Sequence, residues 1–342
     1  MRPKKKLLRG NAASVVLAVS IALVLCFILV FFYGCLHTPA LLSEAPSSTQ
    51  AQIPQDGANT GMPYGQAARE IRGNISGNLT VHFIDVGKGD AILVQTPMGK
   101  TLLIDAGKSA TSERVVAYIR DQGISSLDIV AATHPHDDHI GGMGAVISAI
   151  PVKRYIDNGY KSRSHIYRQV MDLVHEKSIP NGSVRAGDTI DLDPALNITV
   201  LNPQTTFLTG DDPVERSNEN GIVIRIQYGS TAFLFTADTG EAAENAMLAG
   251  GRDLHSRVLK VGHHGNAHSS TRRLLEAVHP EIAVISTGSD GISARRPSLS
   301  TISRLNAIGA AVYRTDKDGT IRISTDGSTL DVSAQKTIRR LF

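Results

Sequence analysis

The chain has 342 residues, 42% of them hydrophobic and only 5% aromatic, with no Trp, so one large or two small domains with an aliphatic core are expected. Its formal charge of +3 is concentrated at one end: Arg2, Lys4, Lys5, Lys6 and Arg9 leave the remaining sequence at −2, without the broad basic field of a sequence-blind nucleic-acid binder. The two cysteines, Cys26 and Cys35, lie in or beside an apolar N-terminal run, which excludes a disulfide framework or a cysteine zinc site in the body.

Residues 1–11 form a basic N-terminus, and no charge follows from Ala12 to Leu36. As a helix that stretch spans about 37 Å, more than the ~30 Å hydrocarbon layer. The basic flank predicts a single transmembrane anchor at 12–36, its N-terminus cytoplasmic and the rest extracytoplasmic. A cleaved signal peptide is an alternative, but its apolar region is usually ~7–15 residues. Lipidation of Cys35 is another, and bulky Phe32 and Tyr33 before it make a weak match. Residues 37–78 are rich in Ser, Pro, Gln, Gly and Asn and read as a flexible linker.

From Leu79 onward strands and helices interleave. Thr80–Val86, Ala91–Thr96 and Lys100–Asp105 read as a β-meander, and Thr111–Gln122 as a helix on the spacing of Val115, Val116, Tyr118 and Ile119. Leu127–Ala132 is a buried strand, with a helix from about His139, a strand at Val152–Asp157 and a helix at His165–Lys177. Strands are expected near Ile198–Leu201, Gly221–Tyr228 and Thr231–Ala237. The last third alternates helix 240–249, strand 257–261, helix 270–278, strand 282–286, helix 299–308 and strands 311–315 and 319–324. This pattern predicts a layered α/β architecture in one domain, 79–342.

One stretch carries the chemistry. Thr133-His134-Pro135-His136-Asp137-Asp138-His139 follows the apolar run Ile129–Ala132. Imidazole and carboxylate together suit zinc, manganese or iron. A chain leaving a strand and turning into a helix can aim His134 and His136 at one ion, and Asp138 and His139 at a second. Asp137 falls outside this pattern, and Gly141 and Gly142 let the turn pack closely.

These residues resemble the signature of the metallo-β-lactamase superfamily, and most closely the hydrolase domain of the ComEC-like DNA-uptake competence channels. The resemblance is carried in order by FIDVGKGDAILVQTP at 83–97, LLIDAG at 102–107, THPHDDHIGG at 133–142, NENGIVIRIQYGSTAFLFTAD at 218–238, VLKVGHHGNAHSS at 258–270 and VYRTDKDGTIRISTDG at 312–327. It implies a four-layer αββα sandwich with two divalent ions, zinc or manganese, at one edge. By that match His134 and His136 hold the first ion, Asp138 and His139 the second, Asp238 bridges both, and His263 or His264 completes the second site. Asp105 matches an Asp that braces the metal loop, and Asp90, in a Gly-x-Gly-Asp turn, is expected near the site as a catalytic group.

The chain also departs from the pattern. Many superfamily hydrolases give the first ion a third His, and the only candidates here, His165 and His175, sit in a charged helix and read as surface residues. Asn218 and Asn220 occupy that interval, with Asn220 expected near the first ion. Lys88 stands where the competence branch often has Gln, Asn266 where it usually has Ser, and Arg296 where it has His. Arg296, with Arg295, is expected to grip phosphate.

The expected function is thus that of a membrane-anchored, extracytoplasmic metal-dependent phosphodiesterase or nuclease. An ion-activated water is the nucleophile, held by Asp138 and Asp238. Single-stranded DNA or an envelope phosphodiester is the substrate, and no obligate protein partner is inferred. The alternatives are hydrolysis of carboxylic esters, lactones or β-lactams, which the missing His disfavours, and a non-catalytic tethered binding domain.

Overall fold

Along most strands apolar side chains occupy consecutive positions, so both faces are buried and helices must cover the outer ones. The computed structural model describes residues 77–288 and 296–336. The expected basic N-terminus, the anchor at 12–36, nearly all of the linker and Arg295 lie outside these residues. Among the described residues no helix is long and apolar enough to cross a membrane.

The strands are β1 Leu79–Phe83, β2 Ile92–Gln95, β3 Thr101–Ile104, β4 Ile129–Ala132, β5 Tyr155–Asp157, β6 Asn181–Ser183, β7 Leu196–Asn202, β8 Val223–Tyr228, β9 Thr231–Phe235, β10 Val258–Lys260, β11 Ile282–Ile285, β12 Ala311–Arg314, β13 Ile321–Thr325 and β14 Leu330–Ala334. Two sheets form, ordered β14-β13-β1-β2-β3-β4-β5-β6 and β12-β11-β10-β9-β8-β7. The expected meander is present, since β1, β2 and β3 pair antiparallel in sequence order. From β3 to β6, and from β9 to β12, pairing is parallel.

The helices are α1 Ser112–Asp121, α2 Asp137–Ile140, α3 Met143–Ala149, α4 His165–Glu176, α5 Pro213–Glu219, α6 Glu241–Ala249, α7 Arg272–Val278, α8 Leu299–Ala307 and α9 Thr315–Asp318. Strand alternation sorts the core into three layers. Leu79, Val81 and Phe83 of β1, Ile224 and Ile226 of β8, and Phe233 and Phe235 of β9 fill the space between the sheets. Leu103 and Val130 turn the other way, onto Val115 and Ile119 of α1, Val146 of α3 and Val170 of α4. Leu234, Leu259 and Ile285 meet Met247 of α6, Leu274 and Val278 of α7, and Leu305 of α8. The result is a mixed α/β sandwich of four layers, αββα.

Four elements were not anticipated, among them α9 at Thr315–Asp318, a single turn between two expected strands. β6 is three exposed residues with no apolar signal, and β14 is a half-exposed edge strand. α5 did carry a signal: Asp212 caps it, its side chain accepting from Val214 N, with Pro213 in the first turn.

Candidate metal centre

The carboxyl ends of the parallel strands converge at one edge of the sandwich. Asp105 follows β3, His134 to His139 follow β4, Asp238 follows β9, and His263 and His264 follow β10. The two sheets touch there, Ile222 N donating to the Thr133 carbonyl at 3.0 Å. Asp105, Ala237, His263 and His264 all have positive φ, between 47° and 58°. Non-glycine residues held in that region are a form of strain that collects at functional sites.

Asp138, His139, Asp238 and His264 offer one ligand atom each within 4.8 Å of one another, and all four are buried. His139 Nε2 and His264 Nε2 face Asp238 Oδ1 at 3.3 and 3.4 Å, and His264 Nε2 lies 3.4 Å from Asp138 Oδ2. His263 Nε2 approaches the other Asp238 oxygen at 3.5 Å, outside the four-residue cluster. His134 packs its ring 4.1 Å from that of His139 and 4.6 Å from that of half-buried His136. Asp137 is exposed, as its place outside the pattern predicted.

The hydrogen bonds behind the cluster fix which nitrogen each imidazole presents. Thr133 N and Oγ1 donate to Asp105 at 2.8 and 2.6 Å, and His139 Nδ1 donates to the same carboxylate at 2.7 Å. Because the Thr133 hydroxyl proton is committed to Asp105, its oxygen accepts from His134 Nδ1 at 3.0 Å. His264 Nδ1 donates to the Ser286 carbonyl at 2.9 Å. Each ring therefore turns a bare Nε2 inward, and those of His134, His139 and His264 are buried without a hydrogen-bond partner, as is Asp238 Oδ1. Orphaned acceptors crowded in this way are costly unless a cation joins them. The donor set thus fits a divalent ion. Without one, protons balance the charge. Burial lowers the pKa of His139 and His264, but Asp238 and their other carboxylate partners outweigh it and hold both above the ordinary value. Burial has the upper hand at His263, lowered to about 4.

Asp90 lies near the cluster, as expected, and is buried behind it. It is 1% exposed and sits on the Nδ1 side of His264 and His139, at 3.7 and 4.0 Å. Gly89 before it packs against the Asp138 carbonyl where a Cβ would collide, and Asp90 N donates to that same carbonyl. The partner of Asp90 was missed by sequence reasoning: Lys260 Nζ, 0% exposed, lies 2.8 Å from Oδ2 and donates to the Val261 carbonyl at 3.0 Å. The signal was available, because Lys260 shares the register of Val258 and so points between the sheets. Asp90, Asp105 and His139 also converge as a possible ion-binding group. There the His139 Nδ1 proton is committed to Asp105, and Lys260 already supplies the cation.

Asn220 spends its side-chain amide on its own segment. It accepts from Leu208 N and donates to the Leu208 and Arg216 carbonyls, tying residue 208 to α5. His165 and His175 are exposed on α4. Neither therefore supplies a third histidine to His134 and His136. Arg296 stands beside the cluster, its Nη1 donating to the His263 carbonyl at 3.4 Å. Lys88 Nζ lies 2.6 Å from Asp138 Oδ2.

The profile of the Metallo-beta-lactamase superfamily matches residues 84–289, from the end of β1 through the whole cluster. The chain belongs to the metallo-beta-lactamase superfamily. Members of the superfamily are in general metal-dependent hydrolases, and this one is related in sequence to competence proteins. It is 27% identical over 260 residues to ComE operon protein 3 of Bacillus subtilis, covering 71% of this chain and 32% of that protein. It is 29% identical over 246 residues to Competence protein ComA of Neisseria gonorrhoeae, covering 70% and 31%. A stretch of 65 residues is 40% identical to Ribonuclease Z of Aeropyrum pernix, covering 18% of this chain and 19% of that one. The chain spans about a third of the length of the first two relatives.

Proposed function

We propose that this protein is a phosphodiesterase that cleaves single-stranded nucleic acid at a two-ion centre, on the outer face of a membrane to which residues 12–36 anchor it. The observation that carries the reading is the set of buried, partnerless Nε2 atoms converging on Asp238. When bound, two divalent ions, zinc or manganese, supply Lewis acidity and an activated water. His134 and His136 would hold one, Asp138, His139 and His264 the other, and Asp238 would serve both.

The chain's own groups do the rest. Asp105 and Thr133 lock His134 and His139 in the tautomer that leaves Nε2 free. Ser286 does the same for His264. Arg296, next to His263, offers a planar donor fork for the non-bridging oxygens of a phosphate. Among the described residues no histidine between His139 and Asp238 joins His134 and His136, which favours phosphodiesters over β-lactams. The name of Ribonuclease Z, similar over 65 residues, points the same way. The anchor rests on 25 uncharged residues after a basic flank.

The test uses the full chain in detergent micelles with manganese or zinc and end-labelled single-stranded DNA, beside a His136→Ala variant. Cleavage by the wild type alone is expected. Two ions bound per chain with no cleavage would refute the nuclease reading and leave envelope phosphodiesters as substrates.

A further inference from the structure

Beside the metal cluster runs an open cleft of about 370 Å³, lined by Gly87, Lys88, Lys108, Thr111 and Arg114, with Asp85, Asp316 and Lys336 at its margins. Its charges are unequally matched. Asp316 is spent on Arg314, which donates to both carboxylate oxygens at 3.0 and 2.7 Å. Asp85 has Lys336 at 3.5 Å. Lys108 and Arg114 have no carboxylate partner among the described residues, and Arg114 Nη1 donates only to the Asp85 carbonyl at 2.8 Å. The partner of Lys88 is Asp138, a member of the cluster itself. A sequence that is −2 beyond its first ten residues thus leaves uncompensated positive charge in the cleft that abuts its candidate ligands.

We propose that this cleft is the subsite for the phosphates flanking the scissile one in a nucleic-acid strand. Lys88 stands at the junction, with Lys108 and Arg114 holding the next phosphates along the cleft. The proposal rests on the phosphodiesterase reading and adds to it a direction of approach and a preference for chains over isolated diesters. The contacts are cationic side chains to phosphate, so they position a strand without reading its bases.

The experiment measures binding alone. The full chain in detergent micelles, held in a chelator, is titrated into fluorescein-labelled oligo(dT) of 12 nucleotides, and anisotropy gives Kd over a range of salt. Lys108→Gln and Arg114→Gln are compared with Arg272→Gln, an exposed site outside the cleft. The N-terminal basic cluster is common to every variant and cancels. Each cleft variant is expected to weaken binding about fivefold at 0.1 M salt and to flatten the slope of log Kd against log salt by about 0.7, the value of one lost phosphate contact on a single strand. Arg272→Gln is expected to match the wild type. Equal losses in all three variants, or none in the cleft variants, would overturn the subsite. Because no turnover is needed, the two proposals fail separately. A protein that binds through the cleft but cuts no DNA loses only the nuclease reading. One that cuts DNA with a cleft indifferent to substitution loses only the subsite.

Discussion

Replacing Lys260 by Met is the sharpest test of how the cluster is supported. The ammonium lies 2.8 Å from Asp90, and both side chains are closed off from solvent, at 0% and 1% exposure. Methionine fills much of the volume of the lysine stem, so packing changes little and the loss is electrostatic. It strands a buried carboxylate whose Oδ1 already lacks a hydrogen bond. Breaking a buried pair by removing one partner costs about 3–5 kcal/mol, a large share of the roughly 5–15 kcal/mol by which domains are stable. In guanidinium chloride, with a slope of about 4 kcal/mol/M, the unfolding midpoint should fall by about 1 M. The measurement belongs in chelator, so that bound ions do not mask it. Asp90→Asn placed on top of Lys260→Met removes the stranded charge and should recover at least half of the loss. A cost below about 1 kcal/mol for Lys260→Met, or a double variant no more stable than the single one, would refute the claim that the two charges neutralise each other.

Three further outcomes follow from the geometry. Asp105→Ala removes the acceptor shared by His139 and Thr133 and should lower zinc affinity about 10- to 100-fold in competition with a chromophoric chelator; an unchanged affinity would count against the bracing role. His264→Ala should reduce the metal bound per chain while His263→Ala preserves it, and equal losses by elemental analysis would show that the pair was misassigned. Far from the cluster, burial lowers the pKa of His82 to about 4, so the folded state favours its neutral form. Its contribution is complete above the unfolded value of about 6.5 and is lost as pH falls toward 4, by up to about 3 kcal/mol. The gap in stability between wild type and His82→Gln should therefore narrow on acidification in urea titrations, and parallel curves would contradict the assignment.

The parts of this protein that could be read before folding are those whose signal is local. Strands such as Ile129–Ala132 announce themselves by apolar runs, and the dense His-Asp stretch after that strand can serve few purposes other than binding a cation. The choice between His263 and His264 was not legible, because it depends on a left-handed backbone at both residues and on the carbonyl of Ser286, far along the chain. The surroundings of Asp90 were hidden for a related reason. Its turn motif is local, but its ion-pair partner is a lysine 170 positions later, on a strand in the other sheet. That the amide of Asn220 is spent on Leu208 was likewise not legible in the local pattern.

The candidate ligands do not all belong to one half of the sandwich. His134, His136, Asp138 and His139 leave the larger sheet, whereas Asp238 and His264 leave the smaller one. No single sheet, however well formed, contains the cluster. Its geometry therefore gauges the docking of the two halves. An alteration in the layer between them, at Phe233 or Phe83 for example, would be felt at the edge as a change in ligand spacing, with every strand intact. The centre should also appear late in folding, at the moment when the two sheets close.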